Sequence, residues 1–83
     1  MAIIIHPHAA ERLLERGVSK EEAIAAIEQG ERFEAKYGRV GFRKSFAFNG
    51  EWRGKRYAGK QVEVYAVQEN GDWVMITVIA KYF

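Results

Sequence analysis

The sequence predicts an α+β fold, with an N-terminal αα-hairpin packed on one face of a three- to four-stranded, twisted antiparallel sheet. Three observations carry that reading. Apolar residues recur at helical spacing between Ala9 and Ile27. Beyond Gly30 the apolar period drops to two, most clearly over residues 40–48. Glycines and turn dipeptides then cut the remainder into strand-length pieces. The 83 residues hold one hydrophobic core and are read as a single domain, 1–83.

The first helix is placed at residues 7–16. Pro7 suits the first helical position, Ala9, Ala10, Leu13 and Leu14 form its apolar stripe, and Gly17 supplies the stop. The second helix, 19–29, opens on Ser19 as N-cap, with Glu22 completing a capping box and Val18 stapled onto Ala23. Ala23, Ile24 and Ile27 form its buried stripe, and Gly30 ends it. A weaker strand is expected over 32–37. In residues 40–48, positions 40, 42, 46 and 48 are apolar, while Arg39 and Arg43 face the other way. Lys44 breaks the alternation, as a bulge or a functional lysine would. Asn49-Gly50 and Gly54 mark turns in a basic loop, 49–60. Residues 61–68 form a strand with Val62, Val64 and Ala66 on one face, and Asn70-Gly71 makes a hairpin turn. The last strand, 73–82, is the most apolar and is placed centrally. Its faces are Val74, Ile76, Val78 and Ala80 against Trp73, Met75, Thr77, Ile79 and Lys81. The expected core comprises Leu13, Leu14, Ile24, Ile27, Phe42, Phe46, Val64, Ile76 and Val78.

Composition removes several kinds of function. Without cysteine there are no disulfides, thiolate chemistry or all-Cys zinc sites. His6 and His8 are the only histidines, and no carboxylate stands at ligand spacing from them, so no metal site is expected. No glycine-rich phosphate loop or serine-nucleophile motif occurs, and no cofactor is expected. No apolar run approaches the ~20 residues of a membrane span, and nothing resembles a signal peptide, so the expected compartment is the cytoplasm, away from any membrane. Net charge is +2, but residues 39–60 carry seven bases against Glu51, a local balance of +6. Positive charge gathered in one segment points to a polyanion, RNA being the expected partner. A solvated basic loop is the alternative.

Two groups of residues then invite a chemical reading. His8, Arg12 and Arg16 recur every four residues and stack along one side of the first helix. Guanidiniums that grip phosphate oxygens beside an imidazole that moves protons suit a phosphodiester. Pairing of the two arginines with Glu11 and Glu15 is the plainer alternative. In the basic segment Trp52, Arg53, Lys55, Arg56 and Tyr57 interleave rings with cations, the pattern that holds single-stranded RNA; the rings would otherwise anchor the loop. Arg39 and Arg43 extend that nucleic-acid surface. Lys60 offers a phosphate-facing cation, and Thr77 is the one uncharged polar residue inside the last apolar strand.

His8-Ala9-Ala10-Glu11-Arg12, the junction Arg16-Gly17-Val18-Ser19 and the final Ile76-Thr77-Val78 resemble a widespread prokaryotic domain family of unknown function. That family carries a His-Ala-x-x-Arg helix and a Thr-Val last strand. It looks similar to BrnT and, more distantly, to the RelE/barnase-like RNase toxin fold. The resemblance implies a metal-independent endoribonuclease of toxin type with an antitoxin protein as partner. It would use His8 and Arg12 from the helix, and Thr77 from the last strand. The end of the chain, Lys81-Tyr82-Phe83, lacks the arginine-rich tail of RelE-type toxins, which separates it from ribosome-dependent cleavage. The expected function is therefore RNA cleavage by general acid–base catalysis, through His8, Arg12, Lys60 and Thr77. A non-catalytic RNA-binding module and a protein-interaction domain are the alternatives.

Overall fold

In a computed structural model that describes residues 2–83, the chain runs through β1 (Ile3–Ile5), α1 (Pro7–Arg16), α2 (Lys20–Gln29), β2 (Glu31–Glu34), β3 (Val40–Trp52), β4 (Lys55–Glu69) and β5 (Asp72–Tyr82). Both helices fall where the stripe and caps put them. Ser19 and Glu22 exchange the two hydrogen bonds of the capping box, at 3.0 and 2.9 Å. Gly17 ends α1 in the left-handed region, at φ 69°.

The sheet is larger than expected and mixed. Its order is β1-β5-β4-β3-β2, with β1 parallel to β5 and every other pair antiparallel. The additional strand is β1. Three isoleucines carry no period, and their partners Trp73–Met75 lie at the far end of the chain. β1 covers what would otherwise be the free edge of β5, and the middle strand of the five is β4, not the more apolar β5.

The expected basic loop 49–60 is instead a two-stranded ribbon. β3 and β4 stay paired out to Trp52 and Lys55, joined by Arg53-Gly54 at φ 51° and 82°. Both residues at positive φ match the type I′ turn that suits the twist of paired strands. Asn70-Gly71, at 52° and 81°, turns β4 into β5 the same way. Asn49-Gly50 does not turn the chain. The register shifts between Ala47 and Gly50, and Asn49 sits at φ 47° in the resulting bulge. The ribbon makes the molecule 41 Å long and 23 by 22 Å across.

A second bulge corrects the expected faces of β5. Tyr65 pairs with Thr77 but Ala66 pairs with Met75, so Ile76 is the extra residue and the alternation restarts after it. Trp73, Met75 and Val78 therefore share the helix side, at 6, 0 and 0% exposure, while Val74 and Ile76 are only half-buried. α1 lies over β5, and α2 over β3 and β4. Between them lie Ala9, Leu13, Val18, Ala23, Ala26, Ile27, Phe42, Val62, Val64 and Ala66. Phe42 meets Trp73 edge to face at 5.1 Å. Leu14, expected in this core, is 85% exposed, because one residue past Leu13 the helix has turned by about 100° and left the sheet. Ile24 is half-buried for the same reason of angle.

Leu13→Ala should cost about 2–5 kcal/mol in urea denaturation, and Leu14→Ala should stay within about 0.5 kcal/mol. Equal losses at the two positions would show that α1 is rotated from this placement.

Candidate nucleic-acid interface

The N-terminus of α1 is capped by a histidine. The His6 Nδ1 accepts the His8 N–H at 3.1 Å, and Pro7 follows at the first helical position. The sequence did carry this signal, since a residue before a helix-opening proline is the N-cap. It leaves the His8 imidazole exposed, its ring 6.3 Å from that of His6. Farther along the stripe Arg12 pairs with Glu15 at 2.7 Å, one of the two plainer pairings. Both groups are partly exposed, so the pair contributes little. Arg16 is exposed in the last turn, where the helix dipole favours a cation.

The last carbonyls of α1 gather donors from three places in the sheet. Arg53 Nη2 donates to the Glu15 carbonyl at 3.1 Å, the Tyr82 hydroxyl to the Arg16 carbonyl at 2.6 Å, and Lys60 Nζ to the Gly17 carbonyl at 2.9 Å. Lys60 also donates to Glu22 Oε1 at 2.8 Å and is 4% exposed. The lysine expected to face a phosphate is thus committed inside the fold. Burial works against the Glu22 carboxylate, but the hydrogen bonds from Lys60 and Ser19 and the lysine charge outweigh it and hold its pKa below the ordinary value. Burial, with the Glu22 charge, raises that of Tyr82.

Tyr82 is also where the ribbon's rings go. Trp52 stacks on it at 5.1 Å and 14°, with Phe48 at 5.2 Å and Tyr57 at 5.5 Å. A side chain on Gly17 would run into the Trp52 ring, so the helix end and the ribbon meet across a glycine. Trp52 and Tyr57 therefore take the anchoring role that their spacing left open. Arg53 lies over the Trp52 ring at 5.1 Å and Lys55 over Tyr57 at 5.7 Å. A cleft of about 160 Å³ opens here between Glu15, Arg16, Trp52, Arg53, Ala80 and Tyr82. Arg16 and Arg53, placed in separate groups by the sequence, share it.

The remaining expected residues lie elsewhere. Thr77 pairs with Tyr65 on the sheet face away from the helices, so it does not join His8 and Arg12. The Ile76 bulge does not change this: β4 puts Val64 and Ala66 under the helices and Tyr65 between them on the open side. On that open face Arg43 Nε donates to Glu63 at 2.9 Å and Nη1 to Glu31 at 3.0 Å. Tyr65 donates to Glu63 at 3.0 Å, with the Lys81 ammonium 3.8 Å away. Glu63 is 3% exposed. Burial raises its pKa, but Arg43, Tyr65 and Lys81 prevail and hold it low. The signal for it in the sequence is one acid, Glu63, inside an alternating apolar strand. Lys44 stands on the helix side opposite Val62, its ammonium 5.4 Å from the Phe46 ring. Arg56, on the outer side of the ribbon, reaches the Asn49 carbonyl at 3.4 Å, and Arg39 lies in the loop between β2 and β3.

Among the described residues no group of three or more His, Asp or Glu side chains is placed to hold a metal ion. None of their helices is long and apolar enough to cross a membrane. Comparison with protein families matches residues 5–80 to a domain of unknown function, DUF4258. The chain belongs to that family. Searches of curated proteins and of solved structures give no match. The DUF4258 match covers both helices and most of β5, so Arg16 and Arg53 lie within the matched residues and Tyr82 lies just beyond them.

Lys60→Met should lower stability by about 2–3 kcal/mol in chemical denaturation, since it strips the donor from a helix-end carbonyl and a carboxylate. A loss no larger than that of a surface substitution would show the clamp to be incidental. Acid should unfold the domain through Glu22 and Glu63. Their folded pKa values lie below the ordinary 4.5, so the stability they supply is complete above that pH and drains as pH falls through the folded values. Melting curves should therefore fall below about pH 4.5 in wild type and less steeply in Glu22→Gln.

Proposed function

We propose that this DUF4258 domain binds single-stranded RNA, with its main phosphate contacts in the cleft between α1 and the β3–β4 ribbon. The observation that carries this is the meeting of Arg16 and Arg53 in one cleft. Two guanidiniums lining one cleft suit phosphate oxygens, and Arg53 keeps donors beyond the one it gives to the Glu15 carbonyl. Lys55 and Arg56 continue the cationic edge along the exposed ribbon, and Arg12 continues it up the helix. Because Trp52 and Tyr57 are packed against Tyr82, the contacts follow the backbone and tolerate sequence.

A second reading adds cleavage, and the exposed His8 imidazole on the same stripe favours it. In this metal-independent endoribonuclease His8 takes the proton of a ribose 2′-hydroxyl. The 2′-oxygen bonds to the adjacent phosphorus, and the 5′-oxygen leaves with a proton from water. Arg12 and Arg16 hold the charge that grows on the phosphate. Lys60 and Thr77 have no part in it. A toxin role with an antitoxin partner belongs to this reading alone.

The log–log dependence of RNA affinity on salt should flatten by about 1.4 in the Arg16→Gln, Arg53→Gln double variant, since each lost phosphate contact removes about 0.7 on a single strand. An unchanged slope in a variant with unaltered melting would sink the cleft as the binding surface. RNA incubated in EDTA tests the second reading: His8→Ala should slow cleavage at least about 100-fold while leaving affinity in place. Wild type that binds RNA and leaves it intact would end the second reading and spare the first.

A further inference from the structure

Bases in a bound single strand need flat rings to stack on, and the ribbon has given its rings to Tyr82. A free ring stands at the other end of β3. Tyr37, in the loop between β2 and β3, is 89% exposed and has φ 63°. With Gly38 at φ 71° it forms a type I′ turn, as Arg53-Gly54 and Asn70-Gly71 do. The Arg39 N–H donates to the Lys36 carbonyl at 3.3 Å and the Ala35 N–H to the Arg39 carbonyl at 3.1 Å, which closes the turn and sets Tyr37 at its tip. Tyr37 stands at the rim of a hollow of about 380 Å³ that Phe33, Glu34, Lys36, Arg39 and Tyr65 also line.

The floor of this hollow is firm. Phe33 meets Tyr65 edge to face at 6.0 Å, lies under the Arg43 guanidinium at 4.5 Å and covers Gly41, where any side chain would collide with its ring. The rim is uncommitted. Glu34, Lys36 and Arg39 take part in none of the ion pairs found among the described residues.

We infer that this hollow is a subsite for one unpaired nucleotide, with guanine as the preferred base. The base stacks on Tyr37 above the Phe33–Tyr65 floor, and Lys36 and Arg39 meet its phosphate. Glu34 sets the preference. A carboxylate accepts two parallel hydrogen bonds from the N1–H and exocyclic amino group of guanine. Uracil presents a single N–H between two carbonyl oxygens that repel the carboxylate. The inference rests on the RNA-binding reading above and names the place where that reading lacks a base platform.

The full chain is titrated with guanosine 5′-monophosphate and, separately, uridine 5′-monophosphate, following its backbone amides by NMR. The guanine nucleotide should shift the amides of residues 33–39 and 65 and leave those of Arg16 and Arg53 in place. Tyr37→Ala should weaken it about tenfold. Tyr37→Asn, which tolerates the left-handed backbone, should weaken it as much and so exclude a folding defect. Glu34→Gln should bring the two nucleotides to similar affinity. No shift at residues 33–39, or a Tyr37→Asn variant that binds as wild type does, overturns the subsite even where RNA binding at Arg16 and Arg53 stands. Equal affinity of wild type for the two nucleotides overturns the guanine preference. A wild type that takes up the guanine nucleotide at residues 33–39 but binds no RNA upholds the subsite and overturns the cleft reading instead.

Discussion

The last carbonyls of a helix have no N–H of their own helix to accept, and they carry the negative end of its dipole. In this domain that end of α1 is closed by three donors, from Arg53 in the ribbon turn, Tyr82 on β5 and Lys60 on β4. Each donor reaches a different carbonyl, so the helix end is fixed against three parts of the sheet at once. Lys60 carries the connection further, because its second hydrogen bond goes to Glu22, the carboxylate that also caps the start of α2. One buried ammonium thus joins the end of one helix, the start of the next and the central strand. The glycine at position 17 is part of the same constraint, since only a bare backbone lets Trp52 and Tyr82 come this close.

This clamp decides which residues are left for a ligand. Lys60, Trp52 and Tyr57 are the cation and the rings that residue spacing assigns to RNA, and the fold uses them, with Tyr82, to attach the ribbon. Arg16 stands beside the clamp and Arg53 within it, and the two line one cleft. In the proposed reading rings for stacking come from elsewhere, and the exposed Tyr37 at the opposite end of β3 is one that the clamp does not touch. In the proposed RNA-binding reading, phosphate contacts and base contacts separate along the length of the sheet.

Charge is redistributed in the same way. The local excess of +6 in residues 39–60 is not a patch. Arg43 is matched by Glu31 from β2 and Glu63 from β4, neither within that segment. Lys60 is matched by Glu22, Arg56 reaches the Asn49 carbonyl on the ribbon, and Arg39 lies in a separate loop. A charge run read along the chain measures the backbone's composition, whereas pairing across strands decides which cations remain free.

Helix spans, the capping box, Gly17 as a stop and the Asn70-Gly71 hairpin were all legible in the sequence, because each depends on neighbours within about four residues. The alternating core positions of β3 and β4 were legible for the same reason: period-two alternation is local. The parallel strand β1 was not, since its partners stand seventy positions away and three isoleucines have no pattern. Nor was the inward face of Trp73 and Met75, because a single extra residue at Ile76 reverses the alternation ahead of Val78 and only pairing with β4 reveals it. The resemblance joined His8 to Thr77 by their places in a motif, but two residues share a site only when they share a face, and the sheet lies between these. Local sequence determined the elements. Long-range pairing, the two bulges and the capture of a helix end by Arg53, Tyr82 and Lys60 decided which side chains meet, because those interactions join residues that no local pattern relates.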